Sequence, residues 1–187
     1  MLNSNMGRPT SGIDWKSHSM GGNVYELDHL HPLLWEVTIP AKATNSERVL
    51  KIVVSYSMHC FTRKPSAGEI VAADARYSDN RETRVFDSGR WALSKRLPSI
   101  IADLEKRRCL HSGREEFITV DMVEDGRKFE YAVFFTVTKA NKTEGADLNL
   151  FINSAHERID ALKYKKPIKF FTILLNRFLG RPIRETP

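Results

Sequence analysis

Two apolar-rich runs, Phe117 to Val123 and Phe129 to Lys139, flank the tetrapeptide Glu124-Asp125-Gly126-Arg127. Asp-Gly favours the positive φ angles of a tight turn, so the runs are expected to fold back on each other as a β-hairpin. A hairpin of that length needs a covering layer on one face, which restricts the fold to a sheet with something packed against it.

Other segments supply the remaining strands. Leu33 to Ile39 reads as a strand closed by Pro40, and Val49 to Thr62 as a long strand ended by Lys64-Pro65-Ser66-Ala67-Gly68. Along the second, Ile52, Val54, Tyr56, Met58 and Cys60 fall on one face, with Ser55, Ser57, His59 and Arg63 on the other. That is the period of a half-buried strand. Leu148 to Asn153 is a further strand, while Val71 to Arg84 is polar and gives no clear element.

Helical signals fall between and after these strands. Asp87 or Ser88 can cap a helix running through Trp91, with Leu93, Leu97, Ile100, Ile101 and Leu104 as its apolar stripe. Pro98 should kink or restart it. Lys106, Arg107 and Arg108 are expected in its last turn, and Gly113 at its exit. Ser154-Ala155-His156-Glu157 has the form of a capping box, in which Ser caps a helix start and Glu reaches back. Ile168 to Leu179 places Phe171, Leu174, Leu175 and Phe178 on one helical face, with Pro167 in its first turn and Gly180 and Pro182 at its end. A strand over its first half fits as well. The order predicts an α+β fold, a mainly antiparallel sheet with helices packed on one face. Residues 1–22, rich in Ser, Asn and Gly, are expected to form a flexible lead-in to one domain over 23–187.

Composition narrows the compartment. At 187 residues and 41% hydrophobic the chain can bury a real core, and its two cysteines, Cys60 and Cys109, suit a reducing environment. The first twelve residues show no signal-peptide pattern, and no run of about 18 apolar residues is present. A cytoplasmic location without a membrane partner is the expectation.

The charge is unevenly placed. The net charge is +6, and residues 163–187 hold seven basic residues against Glu185, while the preceding 162 residues carry 22 of each sign. All of the excess lies in Lys163, Lys165, Lys166, Lys169, Arg177, Arg181 and Arg184, which points to a polyanionic partner. If six of these each met a phosphate, log K would fall with log salt at a slope of about −5.

Motifs for chemistry are sparse. His59-Cys60 and Cys109-Leu110-His111 invite a zinc reading, but adjacent residues on a strand point to opposite faces, so no metal and no cofactor is expected. Phosphate-binding glycine loops and a Gly-x-Ser-x-Gly elbow are absent. What remains is His59, on the polar face of its strand near Arg63, and His156, beside Glu157 and Arg158. Cleavage of RNA without metal needs a base, an acid and a cation on the phosphate. His59 and His156 could serve as the acid–base pair, with Arg63, Arg81, Arg90 and Arg158 holding phosphate. The run Arg76, Arg81, Arg84, Arg90 is diluted by Asp74, Asp79, Glu82 and Asp87, and reads mainly as a salt-bridged loop.

Several stretches also resemble a known family: Ser57-Met58-His59-Cys60-Phe61-Thr62-Arg63, Tyr77-Ser78-Asp79-Asn80-Arg81-Glu82, Arg90-Trp91-Ala92-Leu93-Ser94, Leu150-Phe151-Ile152-Asn153-Ser154-Ala155-His156 and Lys166-Pro167-Ile168-Lys169-Phe170. They are similar to short proteins of proteobacterial integrative elements and prophages, often labelled heat-shock or stationary-phase growth adaptation proteins. The resemblance covers roughly 25–183 and implies a mobile-element accessory role such as host takeover or counter-defence, without catalytic residues to carry over. The layout of a helix followed by an antiparallel sheet is similar to that of barnase, EndoU and colicin-type RNases. The expectation is therefore an accessory protein that binds nucleic acid, RNA ahead of DNA, with metal-independent RNase activity as its catalytic form. The competing reading is a non-enzymatic protein that binds and inhibits a host factor.

Overall fold

The hairpin forms the centre of the molecule. In the computed structural model, which describes residues 12–41, 46–113, 116–125, 127–141, 145–158 and 166–183, strands β9 (Glu116–Asp125) and β10 (Arg127–Lys139) pair antiparallel from Arg127↔Asp125 to Thr136↔Glu116. Around them lies a seven-stranded sheet of order β12-β8-β9-β10-β11-β4-β3, with β3 at Leu33–Ile39, β4 at Arg48–Tyr56, β8 at Arg108–Gly113, β11 at Leu148–Arg158 and β12 at Ile168–Lys169. Every pairing is antiparallel except β11 with β4. The fold is α+β, as the alternation of segments predicts.

Among the described residues there are three α-helices, of which α1 and α3 pack against this sheet. Asp87 caps α1 (Ser88–Ser94) by accepting a hydrogen bond from the Arg90 N–H at 2.9 Å. Pro98 opens a second helix, α2 (Leu97–Ala102), which is the restart expected there. Helix α3 (Phe170–Phe178) buries Phe170, Ile173 and Leu174, so its inner face is turned from the expected Phe171–Leu174–Leu175–Phe178 stripe. Phe170 stacks on Trp35 of β3 at 5.8 Å and meets Phe135 of β10 edge-on at 6.3 Å. Each such buried aromatic ring contributes roughly 2–3 kcal/mol. Ile168 and Lys169, just before α3, pair with Cys109 and Arg108 as β12, so Pro167 precedes a strand pair and not the first helical turn.

Four local expectations are corrected. The strand at Val49 ends at Tyr56, because Ser57 accepts the His59 N–H and winds Met58–Cys60 into a 3-10 turn; His59 therefore stands on a turn. The chain resumes as β5 (Thr62–Arg63) in a small sheet with β6 (Arg76–Ser78) and β7 (Thr83–Phe86). The helical stripe ends at Ala102, a short 3-10 turn covers Leu104–Lys106, and Arg108 starts strand β8, so Lys106 to Arg108 do not close an α-helix.

The third correction concerns Ser154 to Glu157, where β11 simply continues to Arg158. The thirteen-residue β10 offers a ladder out to Glu130↔Arg158, and that pairing outweighs a local cap. A bulge at Asn153, where the register steps from Phe135↔Ile152 to Phe134↔Ser154, inverts which residues face the core. Leu148, Leu150 and Ile152 are buried before the bulge and Ala155 after it.

The fourth is the lead-in over 1–22. Residues 1–11 lie outside the described residues, but the stretch that follows is packed. Trp15 is buried, donates its indole N–H to the Tyr56 carbonyl at 3.1 Å and meets Phe61 edge-on at 5.4 Å. His18–Met20 (β1) pairs with Asn23–Tyr25 (β2) as a two-stranded sheet. Gly12 has φ +112°, and a Cβ there would clash with the Pro32 ring.

Candidate functional site

Two concave regions collect the polar chemistry. The first lies where β4 runs into the Ser57–Cys60 turn, opposite the β6–β7 hairpin. It is a cleft of about 550 Å³ whose lining includes Trp15, Ser55, His59, Asp79, Arg81, Glu82, Phe151 and Asn153. The hairpin turn is built by Asp79, whose Oδ1 accepts the backbone N–H groups of Arg81 and Glu82 at 2.8 and 2.9 Å. These bonds hold the Asp79 carboxyl below its ordinary pKa. They also bring Glu82 to His59, whose Nε2 lies 2.5 Å from Glu82 Oε1.

A buried arginine supports that pair. Arg84 directs NH1 to the other Glu82 oxygen at 3.4 Å and donates Nε–H to Thr62 Oγ1 at 2.9 Å, while Thr62 in turn donates to the Met58 carbonyl at 2.8 Å. The hydrogen bond from His59, with Arg84 adding to it, lowers the Glu82 pKa. Arg90 closes the same turn from α1, donating to the Thr62 carbonyl at 2.8 Å and the His59 carbonyl at 3.3 Å. Such a closed network fixes the ring of His59 against its carboxylate.

His156 stands elsewhere. It stacks on Phe134 at 5.3 Å with an interplanar angle of 10°, and it does not line the His59 cleft. Burial, and then the charges of Arg90 and Arg158, lower its pKa to about 4. It is a strand residue, so it does not itself stand in the first turn of a helix. The structure thus joins His59 with Arg81 in one cleft and leaves His156 out of it.

The other arginines are engaged. Arg63 forks onto Glu69 at 2.7 and 2.5 Å and lies 3.8 Å from Asp87; this fork, with the Ser66 N–H, lowers the Glu69 pKa to about 2. Arg90 is committed to the two carbonyls above. Arg158 lies at the end of β11, where its charge reaches His156. Cys60 and Cys109 are both buried, and burial pushes each thiol up to about 12, as suits structural cysteines.

The second region sits at the end of α3. Gly180 has φ +68°; its N–H donates to the Arg177 carbonyl at 3.1 Å, and the Arg181 N–H donates to the Asn176 carbonyl at 2.8 Å. That pair of bonds is a Schellman closure, which swings Arg181 back beside Arg177. Lys139, the last residue of β10, brings Nζ within 3.5 Å of the point a Gly180 Cβ would occupy. The result is a groove of about 410 Å³ lined by Val137, Thr138, Lys139, Arg177, Gly180, Arg181 and Pro182, three cations with no carboxylate among its described lining residues. Arg48 lies nearby over the Phe178 ring at 4.7 Å. Of the other basic residues expected to act together, Lys166 and Lys169 are exposed at β12. Lys163 and Lys165 lie outside the described residues.

The model of the YjaZ family matches residues 17–178. The chain belongs to the YjaZ family. The YjaZ match takes in the His59 cleft from Ser55 to Asn153 and ends at the last residue of α3, three residues before Arg181. No curated protein and no solved structure matches the chain. Among the described residues no helix is long and apolar enough to cross a membrane.

Sequence reasoning missed two contributors. Glu82 was hidden because its segment gave no element, although Asp79-Asn80 between Tyr77-Ser78 and Thr83-Arg84-Val85-Phe86 is a turn signal between short β-rich stretches. Lys139 was hidden because it lies outside the basic segment, about forty residues before Arg177 and Arg181, and only the fold brings it there.

Proposed function

We propose that this protein binds single-stranded nucleic acid, RNA ahead of DNA, through the groove at the end of α3, and that it does so as an accessory factor of a mobile element. One observation carries the binding reading: Lys139, Arg177 and Arg181 converge in a groove with no carboxylate among its described lining residues. Three cations in a groove of about 410 Å³ suit consecutive phosphates of one strand better than the broad face of a duplex. The accessory role rests on the resemblance of the Ser57–Arg63 and Leu150–His156 stretches to integrative-element proteins. No cleavage step belongs to the proposal, since His59 and His156 do not share a cleft and Arg63 and Arg90 are held within the fold.

The test is retention of a fluorescent single-stranded RNA at low salt. The wild-type protein should retain it, and Lys139→Glu combined with Arg181→Glu should lose most of that retention while keeping the wild-type melting temperature. Equal retention by the two proteins would remove the groove from the account.

A further inference from the structure

The His59 cleft has features that the groove does not use. Its volume of about 550 Å³ is within the range that encloses a small organic ligand. Its two sides differ. On one, Phe151 and Ile13 line the cleft with 38% and 46% of their surface exposed, large apolar side chains left open in a concave region. Phe151 points outward because it alternates with the buried Leu150 and Ile152 just ahead of the Asn153 bulge. On the other side stand Asp79, Arg81, Glu82 and His59.

The polar side offers both signs of charge. Both hydrogen bonds that Asp79 accepts go to Oδ1, which leaves Oδ2 for a donor in the cleft. Arg81 is exposed and engages Asp79 through its backbone N–H, with its five guanidinium donors available for a planar anion. Glu82 is occupied by His59 and Arg84. A ligand that matches this arrangement needs an aromatic ring, an amine donor on the ring and an anionic group at some distance. A nucleotide with an amino-bearing base has all three.

We infer that the cleft holds one unpaired nucleotide, its base against Phe151, the exocyclic amine of the base donating to Asp79 and its phosphate held by Arg81. The inference rests on the nucleic-acid reading only for the origin of the nucleotide, which is either a splayed residue of the bound strand or a free mononucleotide. The network through Ser57, Arg84 and Arg90 holds the polar side in place before the ligand arrives, which limits the ordering needed on binding. A base without an exocyclic amine, such as uracil, leaves Asp79 without its donor and binds less tightly.

The experiment is titration calorimetry on the full chain with guanosine 5′-monophosphate, uridine 5′-monophosphate and inorganic phosphate, followed by a single-stranded RNA. The guanosine nucleotide should bind at least about tenfold more tightly than the other two. Phe151→Ala should weaken it about tenfold, the scale of one lost base–aromatic stack, and leave phosphate binding unchanged. Arg81→Gln should weaken both the nucleotide and phosphate. Both side chains are exposed, so the variants should keep the wild-type melting temperature. Lys139→Glu with Arg181→Glu should leave guanosine nucleotide binding as it was. If that nucleotide binds no better than phosphate, or ignores both cleft variants, or is lost with the groove variant, the inference is overturned. RNA affinity that falls in Phe151→Ala assigns the nucleotide to the strand, and RNA affinity that does not fall assigns it to the free pool; the cleft stands in both. Salt-sensitive RNA binding without nucleotide binding removes the cleft and keeps the groove, and the opposite result removes the groove alone.

Discussion

Replacing His156 by phenylalanine should flatten the pH dependence of stability between about pH 6.5 and pH 4. In the folded protein, burial and the charges of Arg90 and Arg158 lower its pKa from 6.5 to about 4. Between those values the unfolded chain binds a proton that the folded chain refuses, so stability falls as the pH falls. The contribution is fully present above pH 6.5, declines steadily, and levels off below pH 4. At about 1.4 kcal/mol per pH unit, that interval corresponds to about 3.4 kcal/mol. His156 is only half-buried, and solvent screening reduces the effect to about 2 kcal/mol. A phenylalanine keeps the stack on Phe134 and carries no proton. Urea unfolding of both proteins at pH 7, 5.5 and 4.5 isolates the effect, because the other titrating groups, including His18, His29 and Glu69, are common to both. The difference in stability between the two proteins should shift by about 1–2 kcal/mol in favour of the variant on going from pH 7 to pH 4.5. Parallel stability curves, or a His156 ring that titrates near pH 6.5 by NMR, would refute the reasoning.

Two further outcomes follow from the packing. Trp15→Ala should destabilise the protein by about 3–5 kcal/mol, the scale for a buried tryptophan, because the indole is buried against Phe61 and donates to Tyr56; thermal or urea unfolding checks it, and a change under 1 kcal/mol would return residues 12–22 to the status of a loose lead-in. Gly180→Val should cost about 1–2 kcal/mol, since a β-branched residue is strained at φ +68°, and should also weaken RNA binding through loss of the turn that aims Arg181.

The parts of the fold legible in the sequence are those set by local alternation and local caps. Leu33–Ile39 has the bounds its β-branched run and Pro40 imply, and Asp87 caps α1 through its own neighbour, Arg90. The β9–β10 pairing joins the two runs expected to form the hairpin, while Gly126 of the expected turn lies outside the described residues. What was not legible depends on partners distant in sequence. Ser154 to Glu157 has a good local cap, but β10 holds it as strand. Arg108–Gly113 is a strand because β9 and β12 flank it, and its basic start resembles the end of a helix. The parallel β4–β11 pair joins residues almost a hundred positions apart and has no local signature.

The candidate site divides in the same way. His59 and Arg81 are visible as residue types, but their union needs the β6–β7 hairpin and the Glu82 carboxylate it presents. The charge asymmetry draws attention to the segment from Lys163 onward. The groove, however, combines Arg177 and Arg181 with Lys139 from the end of β10, while Lys166 and Lys169 do not line it. Under the proposed reading the groove offers about three phosphate contacts where the charge count alone suggests about six.

That number is open to direct measurement. Affinity for a single-stranded RNA should be determined at several salt concentrations between about 50 and 200 mM. Three contacts at about 0.7 each give a slope of log K against log salt of about −2, and Lys139→Glu with Arg181→Glu should bring it close to zero. A wild-type slope near zero, or one that the double variant leaves unchanged, would contradict the central claim that the end of α3 is where this protein meets a polyanion.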